Sequence, residues 1–159
     1  MKKFIILFIP VFMFITACQE RECVDLDKEK NEVALVLEKY VIANEYQKIE
    51  LAEEIWADDE DIVAFGTSSD EKFVGWKAIK NTIQKQFDTF KDTYISVSAQ
   101  KININNTGNT AWFSEIVNYN FIRDSIPMSY EGIRYTGVLE KRDGKWVIVQ
   151  SHMSIPSND

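Results

Sequence analysis

The second half of the chain limits the fold most, because it alternates with a two-residue period through four long segments broken only by short turns. The segments are 93–105, 110–122, 130–141 and 145–154. The breaks are Asn106-Thr107-Gly108-Asn109, Asp124-Ser125-Ile126-Pro127 and Arg142-Asp143-Gly144-Lys145. Asp-Gly accepts the positive φ angles of a tight turn, so the last break marks a hairpin. Consecutive strands with short loops pair antiparallel, and this half of the chain predicts a curled meander.

The first half has a helical period instead. From near Lys28, the residues Val33, Val36, Leu37, Tyr40, Val41 and Asn44 form one buried stripe, with Asp27 as the expected cap. A second helix is expected over 47–56, with Ile49, Ala52, Ile55 and Trp56 inward. It stops where Asp58, Asp59, Glu60 and Asp61 repel one another. A short strand over 62–65 and a polar loop over 66–72 follow. Phe73-Val74-Gly75-Trp76 then leads into a third helix that buries Trp76, Ile79, Ile83 and Phe87, with Gly75 allowing the sharp entry. Three helices before a curled antiparallel sheet define an α+β domain over 29–156, with the helices closing one side of the sheet.

Ahead of that domain stands an export signal. Lys2 and Lys3 precede an apolar run from Phe4 to Ile15, too short for a span of about 20 residues. The run ends in Ile15-Thr16-Ala17-Cys18, which resembles the bacterial lipobox. The resemblance implies a removable signal over 1–17, acylation of Cys18 and a permanent membrane anchor in the cell envelope. Gln19 after the cysteine favours the outer membrane in a Gram-negative cell. Residues 18–28 read as a solvated tether. Cys23 has no partner once Cys18 is acylated, so no internal disulfide forms.

Charge narrows the partners. The formal net charge is −7, and removal of the signal takes Lys2 and Lys3 with it, leaving −9. A surface this acidic repels phosphate backbones, which argues against nucleic-acid binding.

Four stretches resemble the SnoaL-like branch of the nuclear transport factor 2-like superfamily. They are Glu54-Ile55-Trp56-Ala57-Asp58, Phe73 to Ile79, Ala111-Trp112-Phe113-Ser114-Glu115, and Arg134 to Trp146 running on to His152-Met153-Ser154. The resemblance implies a cone-shaped sheet wrapped on a long helix, an apolar pocket in the cone and a homodimer formed through the sheet. The last hairpin is also similar to the association domain of calcium/calmodulin-dependent kinase II. That domain's cavity arginines correspond here to Val117, Gly137 and Met153, so its anion chemistry does not carry over.

Alternation sorts the polar side chains into two sets. Even positions hold Trp112, Ser114, Arg134, Thr136, Gln150 and His152; odd positions hold Phe113, Glu115, Tyr119, Tyr135 and Ser151. Either set can line the cone, and a bulge would exchange them. Glu115 and His152 are the candidate bases, with Arg134, Gln150 or Tyr119 polarising a bound carbonyl. A Glu115–Arg134 ion pair and a purely structural His152 are the competing readings. Trp76 and Trp112 are the tryptophans expected to touch a ligand. The residues call for no cofactor and no metal: His152 stands alone, Asp58–Asp61 lacks a calcium loop's spacing, and Ser68 and Ser69 lack a nucleophile motif. Two functions remain open: a non-catalytic module binding a small apolar molecule, and a cofactor-free acid–base enzyme of the isomerase, cyclase or hydrolase type.

Overall fold

The computed structural model describes residues 24–156. The expected signal, Cys18 and Cys23 lie outside the described residues. The first helix, α1 (Leu26–Glu45), starts earlier than its apolar period suggests. Its cap is Asp25 rather than Asp27: the Asp25 carboxylate accepts from the Lys28 amide at 3.1 Å. Asp27 falls inside the first turn with Glu29, where acids complement the helix dipole. The last residues of the expected tether are therefore helical.

Gln47, at φ 54°, turns the chain into α2 (Ile49–Ile55), which buries Ala52 and Ile55. Two short strands follow, β1 (Val63–Phe65) and β2 (Lys72–Val74). Gly75 then takes φ 79° at the N-cap of α3 (Trp76–Thr89), where a Cβ would lie 2.9 Å from the Glu60 carbonyl oxygen. Glycine is needed there on both counts.

The long strands are β3 (Lys91–Ile104), β4 (Thr110–Arg123), β5 (Ile126–Arg142) and β6 (Lys145–Ser154). Asp124 and Ser125 both take positive φ, as do Asp143 and Gly144, so both hairpins close through two residues with primed-turn geometry. Strand β5 thus begins at Ile126, several residues before its expected start. The sheet order is β2-β1-β6-β5-β4-β3. It is mixed rather than purely antiparallel, because β1 runs parallel to β6. The pairing follows from the crossover through α3 and the meander, which returns the chain to the edge of β1.

Beyond a register shift at the start of β3, where Asp92 takes φ 48°, three irregularities curve the sheet and decide which side chains face the helices. On β3, Ala99 takes φ 51° at a register shift opposite Glu115. On β5, Gly132 takes φ 69° opposite Asn118, whose Oδ1 accepts from the Gly132 amide at 2.8 Å. On β6, Val149 is the extra residue between the Leu139–Ile148 and Val138–Gln150 pairs. The inner face carries Phe113, Val117, Tyr119 and Phe121 of β4 and Ile133, Tyr135 and Leu139 of β5, all buried. On β6 it begins at even positions, Trp146 and Ile148, and after the bulge continues at the odd Ser151.

One polar cluster pins the start of α1 to the β5–β6 hairpin. Lys141 Nζ donates to both carboxylate oxygens of Glu29 at 2.7 Å, and Trp146 Nε1 donates to Glu29 Oε2 at 2.7 Å. Burial alone would raise the Glu29 pKa, but the bonds from Lys141 and Trp146 outweigh it and hold the carboxyl below its usual range. No described helix is long and apolar enough to cross a membrane.

Candidate functional site

The cone holds a cavity of about 370 Å³ between the later half of α1, α3, the 66–71 loop and the inner face of β4–β6. That volume lies in the range of sites for small molecules. Tyr40 and Asn44 project one helical turn apart from α1, so both enter the same wall. Asn44 Nδ2 donates back to the Tyr40 carbonyl at 2.8 Å and its Oδ1 accepts from Gln86 Nε2 at 2.9 Å, which fixes α3 beside α1.

Aromatic rings supply most of the remaining surface. Phe90 stacks on Phe121 with centroids 3.8 Å apart, and Tyr130 stacks on the far side of Phe121 at 5.9 Å. Deeper in, Tyr135 packs against Tyr40 at 4.9 Å and takes Phe113 edge-on at 4.9 Å. The hydroxyls of Tyr40 and Tyr119 lie 3.0 Å apart and satisfy each other.

Two lining residues are not satisfied. Trp56 Nε1 is buried without a hydrogen-bond partner, and the Tyr135 hydroxyl, beside Ser151, is buried without a hydrogen bond of ordinary geometry. A buried donor left unpaired costs about 1–3 kcal/mol, so such atoms concentrate where a ligand or water completes them. Burial pushes the Tyr40 phenol up to about 12 and raises Tyr119 and Tyr135 well above the ordinary tyrosine value. All three stay protonated at neutral pH and serve as hydrogen-bond donors, not as bases.

Of the side chains singled out from the sequence, Tyr119 lines this cavity. Glu115 is on the inner face and 3% exposed, but it lies outside the lining. Its Oε2 accepts from Gln100 Nε2 at 2.8 Å, and its Oε1 has no partner. The bulge at Ala99 is what turns Gln100 inward to meet it. The expected Glu115–Arg134 pair does not form, because Arg134 points to the outer face one register position away. Gln150 and His152 are exposed on that outer face too, and Trp112 is 48% exposed there. His152 packs edge-on against Phe65 at 5.8 Å. Trp76 is half-buried against the core at the start of α3, away from the cavity. Glu115, Arg134 and His152 therefore do not converge, and the acid–base arrangement built on them is absent. Among the described residues there is no cluster of three metal-ligating side chains.

Sequence reasoning missed Tyr40, Asn44, Trp56, Gln86 and Tyr135 as lining residues. A signal existed for the α1 pair: a tyrosine and an asparagine four residues apart on an otherwise apolar buried stripe need polar company inside the fold.

The cone, its long helix and its lined hollow are the marks of one family. Residues 33–158 match the SnoaL-like domain. The chain belongs to the SnoaL-like domain family, and its fold is that of nuclear transport factor 2-like proteins. A nuclear transport factor 2-like protein of Salmonella enterica superposes on this SnoaL-like domain with a TM-score of 0.74 at 18% identity, over 83% of this chain and 94% of that one. A second such protein, from Pseudomonas putida, gives 0.70 at 18% identity over 83% and 89%. A type 2 hexachlorocyclohexane dehydrochlorinase gives 0.71 at 11% identity over 82% and 86%. At these identities the likeness concerns the fold alone. Among curated proteins, no relative matches the sequence.

Glu115 makes a pH test. Burial raises its pKa, against a smaller opposing effect of the Gln100 bond. A carboxyl whose folded pKa lies above its unfolded value favours folding most when protonated. Its contribution is complete below the ordinary glutamate range and is lost as pH rises through the raised folded value. Glu115→Gln removes that loss, so the variant is expected to be about 1 kcal/mol more stable than the parent at neutral pH and no more stable at pH 4. Urea midpoints at the two pH values measure this; an unchanged difference between them would refute the assignment.

Proposed function

We propose that this SnoaL-like domain is a non-catalytic binding module held at the bacterial envelope by acylated Cys18. Its cavity takes a small, largely apolar molecule carrying a hydrogen-bond-accepting oxygen. The observation that carries the reading is the pair of unpartnered buried donors, Trp56 Nε1 and the Tyr135 hydroxyl, in a wall otherwise built of aromatic and aliphatic side chains. An ester, ketone or amide oxygen offers what both donors lack, and the rings around it accept a flat apolar body.

Binding is favoured over catalysis by the chemistry of the lining. Its inner tyrosines, Tyr40, Tyr119 and Tyr135, are held protonated. Its carboxylate, Glu71, is committed to its own loop, where Oε2 accepts from the Ser68 amide at 3.0 Å. A base able to abstract a proton from a buried substrate is not among these groups. Glu115, the buried acid nearest in the fold, lies behind the lining with its partner Gln100.

The aryl ketone Prodan tests the site, because its emission reports both apolarity and hydrogen bonding at the carbonyl. A chain beginning at Gln19 retains every described element and is expected to bind one Prodan with blue-shifted emission. Failure to bind, or binding at many weak sites, would contradict the reading. The anchor is tested separately. Cys18→Ser is expected to move the protein from the membrane pellet to the soluble fraction in a bacterial host, and a variant still found in the pellet would contradict acylation at that residue.

A further inference from the structure

The mouth of the cavity carries a cation whose role the binding reading does not use. Arg123 is the last residue of β4, exposed at the rim, and it is the cationic side chain among the described lining residues. It enters none of the ion pairs formed by the described residues, whereas Arg142 is held by Asp59 and Glu140 and Lys141 by Glu29 and Glu32. The acid among the described lining residues, Glu71, folds back over Gly66: a Cβ on that glycine would lie 2.2 Å from Glu71 Oε2. Glu71 is thereby occupied with the Ser68 amide. On a domain with a strongly negative net charge, the cavity entrance is thus a local exception with an uncommitted positive group.

The spacing completes the argument. Arg123 stands four residues beyond Tyr119 on the same strand, about 13 Å at the rise of a β-strand. The Phe90–Phe121–Tyr130 stack lies along that path. Tyr135 lies farther in, opposite Glu115 and eight residues from Arg123, so an occupant that touches both is elongated, its apolar body laid along the stack and its far end beside the guanidinium.

We propose that the cavity's occupant is an apolar monoanion whose carboxylate is held at the mouth by Arg123 while its neutral oxygen faces Trp56 and Tyr135. This rests on the binding reading above and narrows the ligand to amphipathic oxo-acids and related carboxylates. Arg suits the role because its planar fork binds a carboxylate through two parallel N–H donors.

The test compares Prodan with an N-carboxyalkyl analogue, whose chain carries a carboxylate beyond the end of the ring system opposite the ketone, far enough to span from Tyr135 to Arg123. On the parent chain the carboxylate is expected to bind about three- to tenfold more tightly than Prodan, the range of a partly exposed charge-assisted pair. Arg123→Gln is expected to abolish that advantage and leave the Prodan affinity unchanged, while Arg123→Lys retains part of it. Raising the salt to 0.5 M should shrink the advantage as well. Equal affinities on the parent, or an advantage that survives Arg123→Gln, would overturn the assignment of the anion while leaving the binding reading intact. If neither compound binds, both proposals fall.

Discussion

Gly137→Val is expected to cost about 3 kcal/mol and lower the thermal midpoint by roughly 10 °C. Gly137 faces Phe113 across the β4–β5 pair, and the ring covers the space a side chain would fill. A Cβ there would lie 2.5 Å from the Gln150 carbonyl oxygen and 2.6 Å from Phe113 Cε1. The first of these atoms is backbone, so relief requires β6 to move away from β5. The second belongs to a buried ring packed edge-on against Tyr135. Total domain stabilities are commonly about 5–15 kcal/mol, so the variant sits near the edge of folding. Gly144→Ala is the matched control. Nothing lies within 4 Å of its added Cβ, and only the positive φ of 79° opposes the change, a cost of about 1 kcal/mol. Chemical denaturation of both variants checks the order; equal losses would show that crowding at Gly137 is not what that strand position imposes.

The double replacement Trp56→Phe with Tyr135→Phe is expected to act in the opposite sense on stability and affinity. Each change removes a buried polar atom that has no partner, so the domain should be as stable as the parent or about 1 kcal/mol more stable. Prodan affinity, by contrast, should fall about tenfold for each lost donor, since 1.4 kcal/mol corresponds to a factor of ten. A gain in stability coupled to a loss of binding is the behaviour of a site, not of a core. Trp146 supplies the contrast. Its indole N–H is bonded to Glu29, and its replacement by Phe leaves a buried carboxylate short of a donor. Calorimetric binding and urea unfolding on the same preparations separate the two cases. Unchanged affinity in the double variant would remove Trp56 and Tyr135 from the site.

The architecture was legible because its signals are local. Apolar spacing set α1 and α3, Gly75 marked the entry to α3, and Asp143-Gly144 marked the final hairpin. The sequence predicts a four-residue break between β4 and β5, because Ile126-Pro127 resembles one. In the structure Asp124 and Ser125 alone make the turn, and both residues after it join β5. The parallel β1–β6 pairing is non-local and left no mark in the spacing of either strand.

The site was less legible, because alternation sorts the side chains of β4–β6 into two sets without saying which set the helices cover. A single extra residue at Val149 moves the inward positions of β6 from even to odd, and Gly132 does the same on β5. The sorted residues of β5 and β6 all lie beyond those bulges, so their parity holds: the odd set faces inward and the even set outward. Arg134, Gln150 and His152 shared a parity with Trp112, and all four point outward. One clue did identify the inner face. Val117, Gly137 and Met153 occupy the positions of cavity residues in a related fold, all of them odd, and all lie on the inner face. Trp56 gave no such clue, since a buried tryptophan whose N–H lacks a partner cannot be told from a satisfied one by sequence.

The indole N–H resonance of Trp56 in a ¹⁵N-labelled domain tests the central claim most directly. On titration with Prodan it should move downfield as the ketone oxygen accepts from Nε1, while the Trp146 resonance, already bonded to Glu29, stays in place. A Trp56 signal that does not move while Prodan saturates the protein would contradict the account.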